Sequence, residues 1–231
     1  MTPKLKIVAL NTIFWYIKNK AVPECSVKTP GHDQFVWLQK ELMSSRMNNE
    51  KVYLTGHVPP SIEMYKLKCY EIYVNITAEF SDVILGHLYG HTHDDNFVLI
   101  PVPNGMARHF TLPATGVANI VPSVMPSYNP SFRIWRYDAE TGRILDYDQY
   151  MADLDESNAK RSLVYVKEYS FLQAYKSILN DFSVESFIKL QHAIETNSTV
   201  RDLFNKYRYL GSKASVFEYR GAERLHNHMH S

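Results

Sequence analysis

Two glycines and three histidines lie close together in the stretch Gly86-His87-Leu88-Tyr89-Gly90-His91-Thr92-His93-Asp94-Asp95. An apolar run at 83–85 leads into this stretch and a second at 97–100 leads out of it, which predicts the end of a buried strand followed by a tight turn. Two histidines one residue apart on such a turn can direct their imidazole nitrogens at one point, and a neighbouring glycine lets the main chain approach closely. The stretch therefore predicts a metal site at a strand end.

Upstream of this stretch the pattern alternates between strand and helix. It predicts a central strand covered on both faces, an amphipathic helix, a second strand and a second helix, at 4–11, 32–48, 51–56 and 65–80. Strand-helix-strand units form parallel sheets, and ligands bind beyond the carboxyl ends of the strands. His57 directly follows the second strand, so we expect it at the same sheet edge as His91 and His93.

Downstream, short apolar runs alternate with proline-containing loops and predict antiparallel or mixed strands at 97–102, 117–121 and 132–137. Beyond residue 146 the pattern predicts helices near 147–157, 166–177, 184–195 and 199–208. Ser183 is expected to cap the third of these helices, with Ser186 as an alternative cap. The expected organisation is an α/β domain over 1–146, a helical extension over 147–215 and a tail over 216–231. The tail histidines, His226, His228 and His230, are interpreted as part of a frayed terminus.

Composition describes a packed globular chain of 231 residues, 45% of them apolar. The formal net charge of +1 gives no reason to expect nucleic acid or an anionic membrane as a partner. No apolar run approaches the roughly 18–20 residues of a membrane span, and the first residues do not form a signal peptide. Taken alone, these features predict a cytosolic chain without a membrane anchor.

Two other features favour the secretory pathway. Asn75 and Asn197 begin glycosylation sequons, and Cys25 and Cys69 are the only cysteines in the sequence. Two cysteines in a cytosolic protein are usually small buried side chains, so the sequence alone leaves their pairing open.

The histidines differ in the chemistry that their positions predict. Neutral imidazole binds zinc, iron and manganese, and hydrolytic metal centres are assembled at strand ends from residues distant in sequence. His57, His91 and His93 are therefore candidate metal ligands; the alternative, that each is an ordinary loop histidine, loses weight because all three fall at one sheet edge. His87 lies on the strand itself and is expected to be a buried, hydrogen-bonded scaffold residue.

Several motifs resemble a known family when they are taken in order along the chain. They are Gly56-His57-Val58-Pro59-Pro60, Gly90-His91-Thr92-His93, the segments 122–126 and 129–133, and Leu145-Asp146-Tyr147-Asp148-Gln149-Tyr150. Together they resemble the second half of the calcineurin-like metallophosphoesterase signature, and within it the acid sphingomyelinase-like branch. Pro30-Gly31, Trp37-Leu38 and segment 82–86 are most similar to the fungal vacuolar endopolyphosphatases of this branch, whereas the intact His91-Thr92-His93 triplet is more similar to the sphingomyelinase-type members.

The resemblance implies a partial metallophosphoesterase β-sandwich flanked by helices. It also implies two divalent metal ions, zinc foremost or else manganese, iron or cobalt. His57 and His91 would bind one metal and His93 the other, and a metal-bound hydroxide would attack phosphorus. A disulfide between Cys25 and Cys69 and a vacuolar, lysosomal or secreted location are further implications.

The substrate implied by the closer likeness is polyphosphate, cleaved at its phosphoanhydride bonds. Cations would then line the cleft, with Arg108, Lys66 and Lys68 as candidates beside the alternative that they are solvated surface charges. A sphingomyelinase-like phosphodiesterase would instead present an apolar surface. Its candidate is a stripe that could equally face the core, made of Tyr150, Leu154, Tyr165, Tyr169, Phe171 and Tyr175.

The family's Asp-x-His, Gly-Asp and Gly-Asn-His motifs do not occur in this sequence. In the family they supply the bridging aspartate, an asparagine ligand and the histidine that protonates the leaving group. We therefore expect the carboxyl-terminal part of a metallophosphoesterase, inactive alone and without catalytic residues of its own, left by a truncated gene model, a split gene or a degenerate copy. A non-catalytic partner that completes or regulates a full-length relative is the other hypothesis. Either way, an exposed sheet edge and poor stability are expected.

Overall fold

The computed structural model describes residues 4–103, 113–125 and 127–212. The strands are β1 (Lys4–Leu10), β2 (Glu50–Gly56), β3 (Ile84–Tyr89), β4 (Asn96–Pro101), β5 (Ala114–Ile120), β6 (Ser131–Tyr137), β7 (Ile144–Met151) and β8 (Val166–Ser170). The α-helices are α1 (Pro30–Met47), α2 (Leu67–Glu79), α3 (Leu154–Lys160), α4 (Phe171–Ala174), α5 (Val184–Thr196) and α6 (Ser198–Arg208). Mixed helix and sheet content confirms the expected α/β fold class.

A five-stranded sheet in the order β1-β2-β3-β5-β4 forms the centre of the molecule. The first four strands in this order pair in parallel, and β4 pairs antiparallel with β5. Helices α1 and α2 provide the crossovers between the first three strands, as the sequence predicts. Helix α1 begins sharply because Thr29 accepts a hydrogen bond from the backbone N–H of His32 and Pro30 occupies the first turn.

The sheet separates two hydrophobic cores. Successive strand residues point to opposite faces, and in β5 the side chain of Ala118 joins the core beneath α1 and α2 while Val117 joins the core beneath α4 and α5. Cys25 and Cys69 form a disulfide in the first core, with Cα atoms 5.2 Å apart. This bond ties the loop before α1 to α2.

Strands β6, β7 and β8 form a separate antiparallel sheet. The helices predicted near 147–157 and 166–177 are therefore wrong over most of their length, since β7, β8 and the short helices α3 and α4 occupy these segments. In β7 the buried side chains of Tyr147 and Gln149 alternate with less buried ones, a period of two that favours a strand. The domain boundary expected after residue 146 falls inside β7. Helices α5 and α6 are confirmed, as is the Ser183 cap.

Strand β1 lies at the edge of the large sheet, so the prediction of a central strand covered on both faces is wrong for the residues that the structure describes. Val8 and Leu10 are buried in the first core, whereas Ile7 is 72% exposed and Leu5 44% exposed on the other face. An exposed sheet edge is thus present, as expected.

Several sequence-based expectations fall on residues outside the described ranges. They concern Arg108 and the tail over 216–231 with its three histidines. Within the described ranges, none of the helices combines the length and the apolar character needed to span a bilayer.

Candidate metal centre

Strands β2 and β3 deliver two loops to one point at the carboxyl edge of the large sheet. The two strands run in register to Thr55 and Leu88, and just beyond them the backbone N–H of Gly90 donates to the carbonyl oxygen of His57 over 3.0 Å. The loops carrying His57 and His91 therefore lie side by side, at the shared sheet edge that the sequence predicts.

The imidazoles of His57 and His91 face each other. Nε2 of His57 lies 3.1 Å from Nδ1 of His91, and the two rings meet edge to face with centroids 4.9 Å apart. On its other side the His91 ring packs edge to face against Tyr16, again at 4.9 Å between centroids. The position and rotation of His91 are thus restricted from two directions.

The backbone of the turn is unusual at both of its histidines. His91 and His93 have φ values of 78° and 64°, in the left-handed region that residues other than glycine rarely adopt. Such conformations cost free energy and persist where the surrounding structure holds them, often at functional sites. They direct both side chains away from the paths that a regular strand would give them.

His93 has a different environment from the His57–His91 pair. Its Nδ1 lies 2.6 Å from the hydroxyl oxygen of Ser127, which leaves Nε2 as the ring nitrogen available to a ligand. In residues 4–103, 113–125 and 127–212, no three histidine, cysteine, aspartate or glutamate side chains converge so that they could hold a metal ion. The structure therefore pairs the ring of His57 with that of His91, whereas the ring of His93 contacts Ser127.

Burial lowers the pKa of His91, and His57, His93 and Lys18 lower it further through electrostatic repulsion of the imidazolium. The ring consequently keeps a free lone pair to a lower pH than an ordinary histidine. A neutral imidazole is the form that binds metal ions.

The geometry of the His57–His91 pair fits a shared metal ion. Two nitrogens each about 2.0–2.1 Å from one zinc ion are roughly 2.9 Å apart at a right angle and roughly 3.3 Å apart at the tetrahedral angle. The observed separation of 3.1 Å lies between these limits. The donor set is incomplete within the described residues, since two imidazoles supply half of a four-coordinate shell.

His87 is confirmed as a scaffold residue. Its side chain is buried on β3, with Nδ1 2.8 Å from the hydroxyl of Tyr73, which in turn lies 2.7 Å from the hydroxyl of Tyr89. Burial lowers the pKa of His87 to about 3, so the ring is neutral at physiological pH.

Of the two lysines proposed for the substrate cleft, Lys66 is held by backbone carbonyls and Lys68 is exposed. The amine of Lys66 donates to the carbonyl oxygens of Phe14 and Val22, so this side chain fastens the 14–22 segment to the start of α2. Lys68 is exposed on the first turn of α2. Neither observation gives these lysines a role in binding an anion.

The aromatic stripe divides between the core and the surface. Tyr169, Phe171 and Tyr175 are buried in the second core, as the core-facing alternative requires. Tyr150 and Tyr165 instead pack against Phe132 on the outer face of the small sheet.

Both predicted glycosylation sites are exposed asparagines. Asn75 lies on α2, and Asn197 caps α6 by accepting hydrogen bonds from the backbone N–H groups of Thr199 and Val200. Their modification stays a prediction.

Sequence reasoning missed three side chains or pairs at this site. Tyr16 and Ser127 carry no motif or spacing that would assign them to a site. Asp94 and Asp95 were quoted without a role. Two adjacent acidic residues directly before an apolar strand are a signal for buried ion pairs, but nothing in the sequence indicates their distant partners.

Fold and site together define an α/β protein with an imidazole pair at the carboxyl edge of its parallel strands, where ligands of such sheets bind. Residues 106–215 match the family of the acid sphingomyelin phosphodiesterase C-terminal region. The chain is thus related to the acid sphingomyelinase-like branch of the metallophosphoesterases, which confirms the resemblance of its motifs.

Curated relatives with similar sequences carry three different names. Sphingomyelin phosphodiesterase A of Dictyostelium discoideum is 34% identical over 89% of this chain and 34% of its own length. The cyclic GMP-AMP phosphodiesterase SMPDL3A of Bos taurus is 32% identical over 93% of this chain and 48% of its own length. An endopolyphosphatase of Cryptococcus neoformans is 39% identical, but over 43% of this chain and 15% of its own length. The chain thus spans less than half the length of these relatives.

Proposed function

We propose that this chain supplies His57 and His91 to one divalent metal ion, zinc foremost, and His93 to a second, in a metal-dependent phosphodiesterase. The separation of 3.1 Å between Nε2 of His57 and Nδ1 of His91 carries the proposal. Two lone pairs that converge at a sheet edge, with a lowered imidazole pKa at His91, form half of a metal-binding shell.

Divalent metals bound in such a centre would polarise a phosphoryl oxygen and lower the pKa of a water molecule. The chain's own residues would hold the centre in position. Tyr16 restricts the His91 ring, and the Ser127 hydroxyl fixes which nitrogen of His93 is available. The hydrogen bond from Gly90 to the carbonyl of His57 keeps the two loops at a fixed separation.

A phosphodiester is the favoured substrate class for two reasons. The relatives named as phosphodiesterases align with 89% and 93% of the chain, against 43% for the endopolyphosphatase. The surface next to Tyr16 also exposes the apolar side chains of Ile13 and Ile17, and Lys66, one of the cations expected to attract a polyanion, is occupied by backbone carbonyls.

The second candidate is endopolyphosphatase activity, which the sequence motifs at 30–31, 37–38 and 82–86 favour. The observation in its favour is the 39% identity over 101 residues to the Cryptococcus protein. For either substrate we propose a vacuolar, lysosomal or secreted location, supported by the disulfide and the exposed sequon asparagines.

The experiment is an assay of the protein as its own cells produce it, with any upstream region that the transcript encodes. The metal-loaded protein and its His57→Ala variant would be tested on bis(p-nitrophenyl) phosphate, on sphingomyelin and on long-chain polyphosphate. Diester hydrolysis that is lost in the variant supports the proposal. Shortening of polyphosphate without diester hydrolysis would overturn it in favour of the second candidate. Metal binding without either activity would indicate a non-catalytic partner.

A further inference from the structure

The turn that carries His91 and His93 is anchored to the rest of the molecule by two consecutive carboxylates. We call residues 90–95 the histidine loop. Its two left-handed histidines have no glycine-like freedom, so neighbouring contacts must maintain their conformation. Asp94 and Asp95 directly follow His93, and both side chains are buried.

Asp94 links the loop to the end of α6. One of its carboxylate oxygens accepts a hydrogen bond from the Thr92 hydroxyl, and Thr92 lies between the two histidines. The other oxygen lies 2.6 Å from Nε of Arg208, which is 114 residues away in the sequence. The Arg208–Asp94 ion pair therefore acts on the residue that separates His91 from His93.

Asp95 makes a second and deeper attachment. Its carboxylate lies 2.5 Å from Nη2 of Arg133 on β6 and accepts a hydrogen bond of 2.5 Å from the Tyr169 hydroxyl on β8. The Arg133 guanidinium lies over the Tyr147 ring, 3.7 Å from its centroid, and is almost completely buried. Its pKa is raised, since attraction to Asp95 outweighs the burial that would lower it. This pair belongs to the second core.

Both aspartates also contact the end of α6, Asp94 through its side chain and Asp95 through its main chain. The backbone N–H of Asp95 donates to the carbonyl oxygen of Arg208 over 2.9 Å, so Arg208 holds the loop through both its main chain and its side chain. The Arg208 side chain is 33% exposed, unlike that of Arg133. Removing the Arg208 guanidinium would therefore release Asp94 without opening the core.

We infer that Arg208, at the end of α6, is a positioning residue for the histidine loop and sets the geometry of His91 and His93 through Asp94. The expected effect on metal binding rests on the proposed function, whereas the contact between Arg208 and Asp94 is present without it. It connects the carboxyl-terminal helices to the metal site, because the arrangement of α6 reaches His91 through Arg208, Asp94 and Thr92.

The test uses the full protein with Arg208→Met, Arg208→Lys and a matched control. Arg46→Met is that control, since Arg46 forms an ion pair of 2.5 Å with Asp82 and is 35% exposed, close to the exposure of Arg208. Cobalt(II) binding would be followed by visible absorption, and thermal midpoints would be recorded without metal. Amide hydrogen exchange of the segment 88–95 would be measured in the metal-free protein.

We expect Arg208→Met to weaken cobalt binding about tenfold or more and to speed amide exchange in the loop. Arg208→Lys should recover part of the cobalt affinity. Arg46→Met should change neither the cobalt affinity nor the amide exchange of the loop, even if it lowers the thermal midpoint as much as Arg208→Met does. Wild-type cobalt affinity and spectrum in Arg208→Met, or unchanged exchange in the loop, would overturn the inference.

A His57→Ala variant separates this result from a failure of the proposed function. If His57→Ala binds cobalt as the wild type does, the metal centre itself is wrong and the positioning role has no metal to serve. If His57→Ala loses binding while Arg208→Met keeps it, the inference alone fails.

Discussion

Nε2 of His57 and Nδ1 of His91 lie 3.1 Å apart although 34 residues separate them in the sequence. Without a metal, only one of these nitrogens can carry the proton that a hydrogen bond between them requires. With a metal, both present lone pairs. The pair is therefore the most direct place to test the site.

His57→Ala and His91→Ala should each reduce zinc affinity by about 100-fold or more. Both residues are proposed direct ligands, and even the loss of a residue that only supports a ligand costs about 10- to 100-fold. Isothermal titration calorimetry measures the effect. His192→Ala is the control, because His192 is an exposed histidine on α5. Equal affinities in all three variants would show that zinc binds elsewhere.

Glu168 is expected to destabilise the fold progressively as the pH rises from 4.5 to about 8. Its Oε2 is buried without a hydrogen-bond partner among the described residues, and burial, assisted by Asp95 and opposed by Lys206, raises its pKa to about 8. A carboxyl whose folded pKa exceeds its unfolded value of 4.5 contributes stability that is fully present below pH 4.5 and is lost as pH rises through 8.

Glu168→Gln should therefore leave stability unchanged near pH 4.5 and raise it by about 2 kcal/mol or more at pH 8. Urea unfolding at both pH values measures the difference. Glu63→Gln provides the control on an exposed carboxylate. A uniform gain at both pH values would mean that the substitution acts through packing rather than through charge.

The same variant should reveal an opposite dependence at His87. The pKa of this buried imidazole is about 3 in the folded chain and 6.5 when unfolded, so its contribution is present above pH 6.5 and is lost as pH falls towards 3. Between pH 4.5 and 6.5 the losses at Glu168 and His87 run in opposite directions. Because the variant lacks the opposing loss at Glu168, its stability should rise from pH 4.5 to pH 6.5 by about 2–3 kcal/mol more than that of the wild type. The further substitution His87→Gln should remove about 2–3 kcal/mol of this rise, and an unchanged profile in that double variant would contradict the neutral, buried state of His87.

The disulfide should provide a large share of the chain's stability. It joins Cys25 and Cys69, 44 residues apart, and loop closure of this size corresponds to about 4 kcal/mol. The double variant Cys25→Ala/Cys69→Ala should lose about that amount in a guanidinium titration. In reducing agent the wild type should have the same free energy of unfolding as the double variant. A wild type whose stability is unchanged by reducing agent, or a double variant as stable as the wild type, would contradict this prediction.

Sequence patterns were sufficient for the parallel half of the fold. The runs at 4–11 and 51–56 and the helical spacing between them predict strand, helix and strand, and parallel pairing then brings His57 to the edge shared with His91. Local pattern suffices here because the crossover rule converts chain order into spatial order.

The remainder depends on contacts between distant residues. Segment 144–151 is rich in tyrosine and aspartate, and it forms a strand because Tyr147 and Gln149 face the second core, which a helical interpretation overlooked. The partners of Asp94 and Asp95 lie on β6, β8 and α6, and no spacing rule connects them. Tertiary packing, rather than local propensity, decides both features.

The exposed face of β1 leads to a final prediction about self-association. Strand β1 is an edge strand, and no other strand within residues 4–103, 113–125 and 127–212 pairs with its outer side. Its side chain Ile7 is 72% exposed, and unpaired strand edges with apolar side chains recruit other chains. This chain should therefore self-associate with rising concentration, and Ile7→Lys should suppress the association because a charged edge residue opposes strand addition.

Val27→Lys is the matched control, since Val27 is 73% exposed but lies in a loop. Sedimentation velocity over a hundredfold range of concentration, about 1–100 μM, distinguishes the two. Equal suppression by both substitutions would attribute the association to net charge, and equal association in all three proteins would place it at another surface.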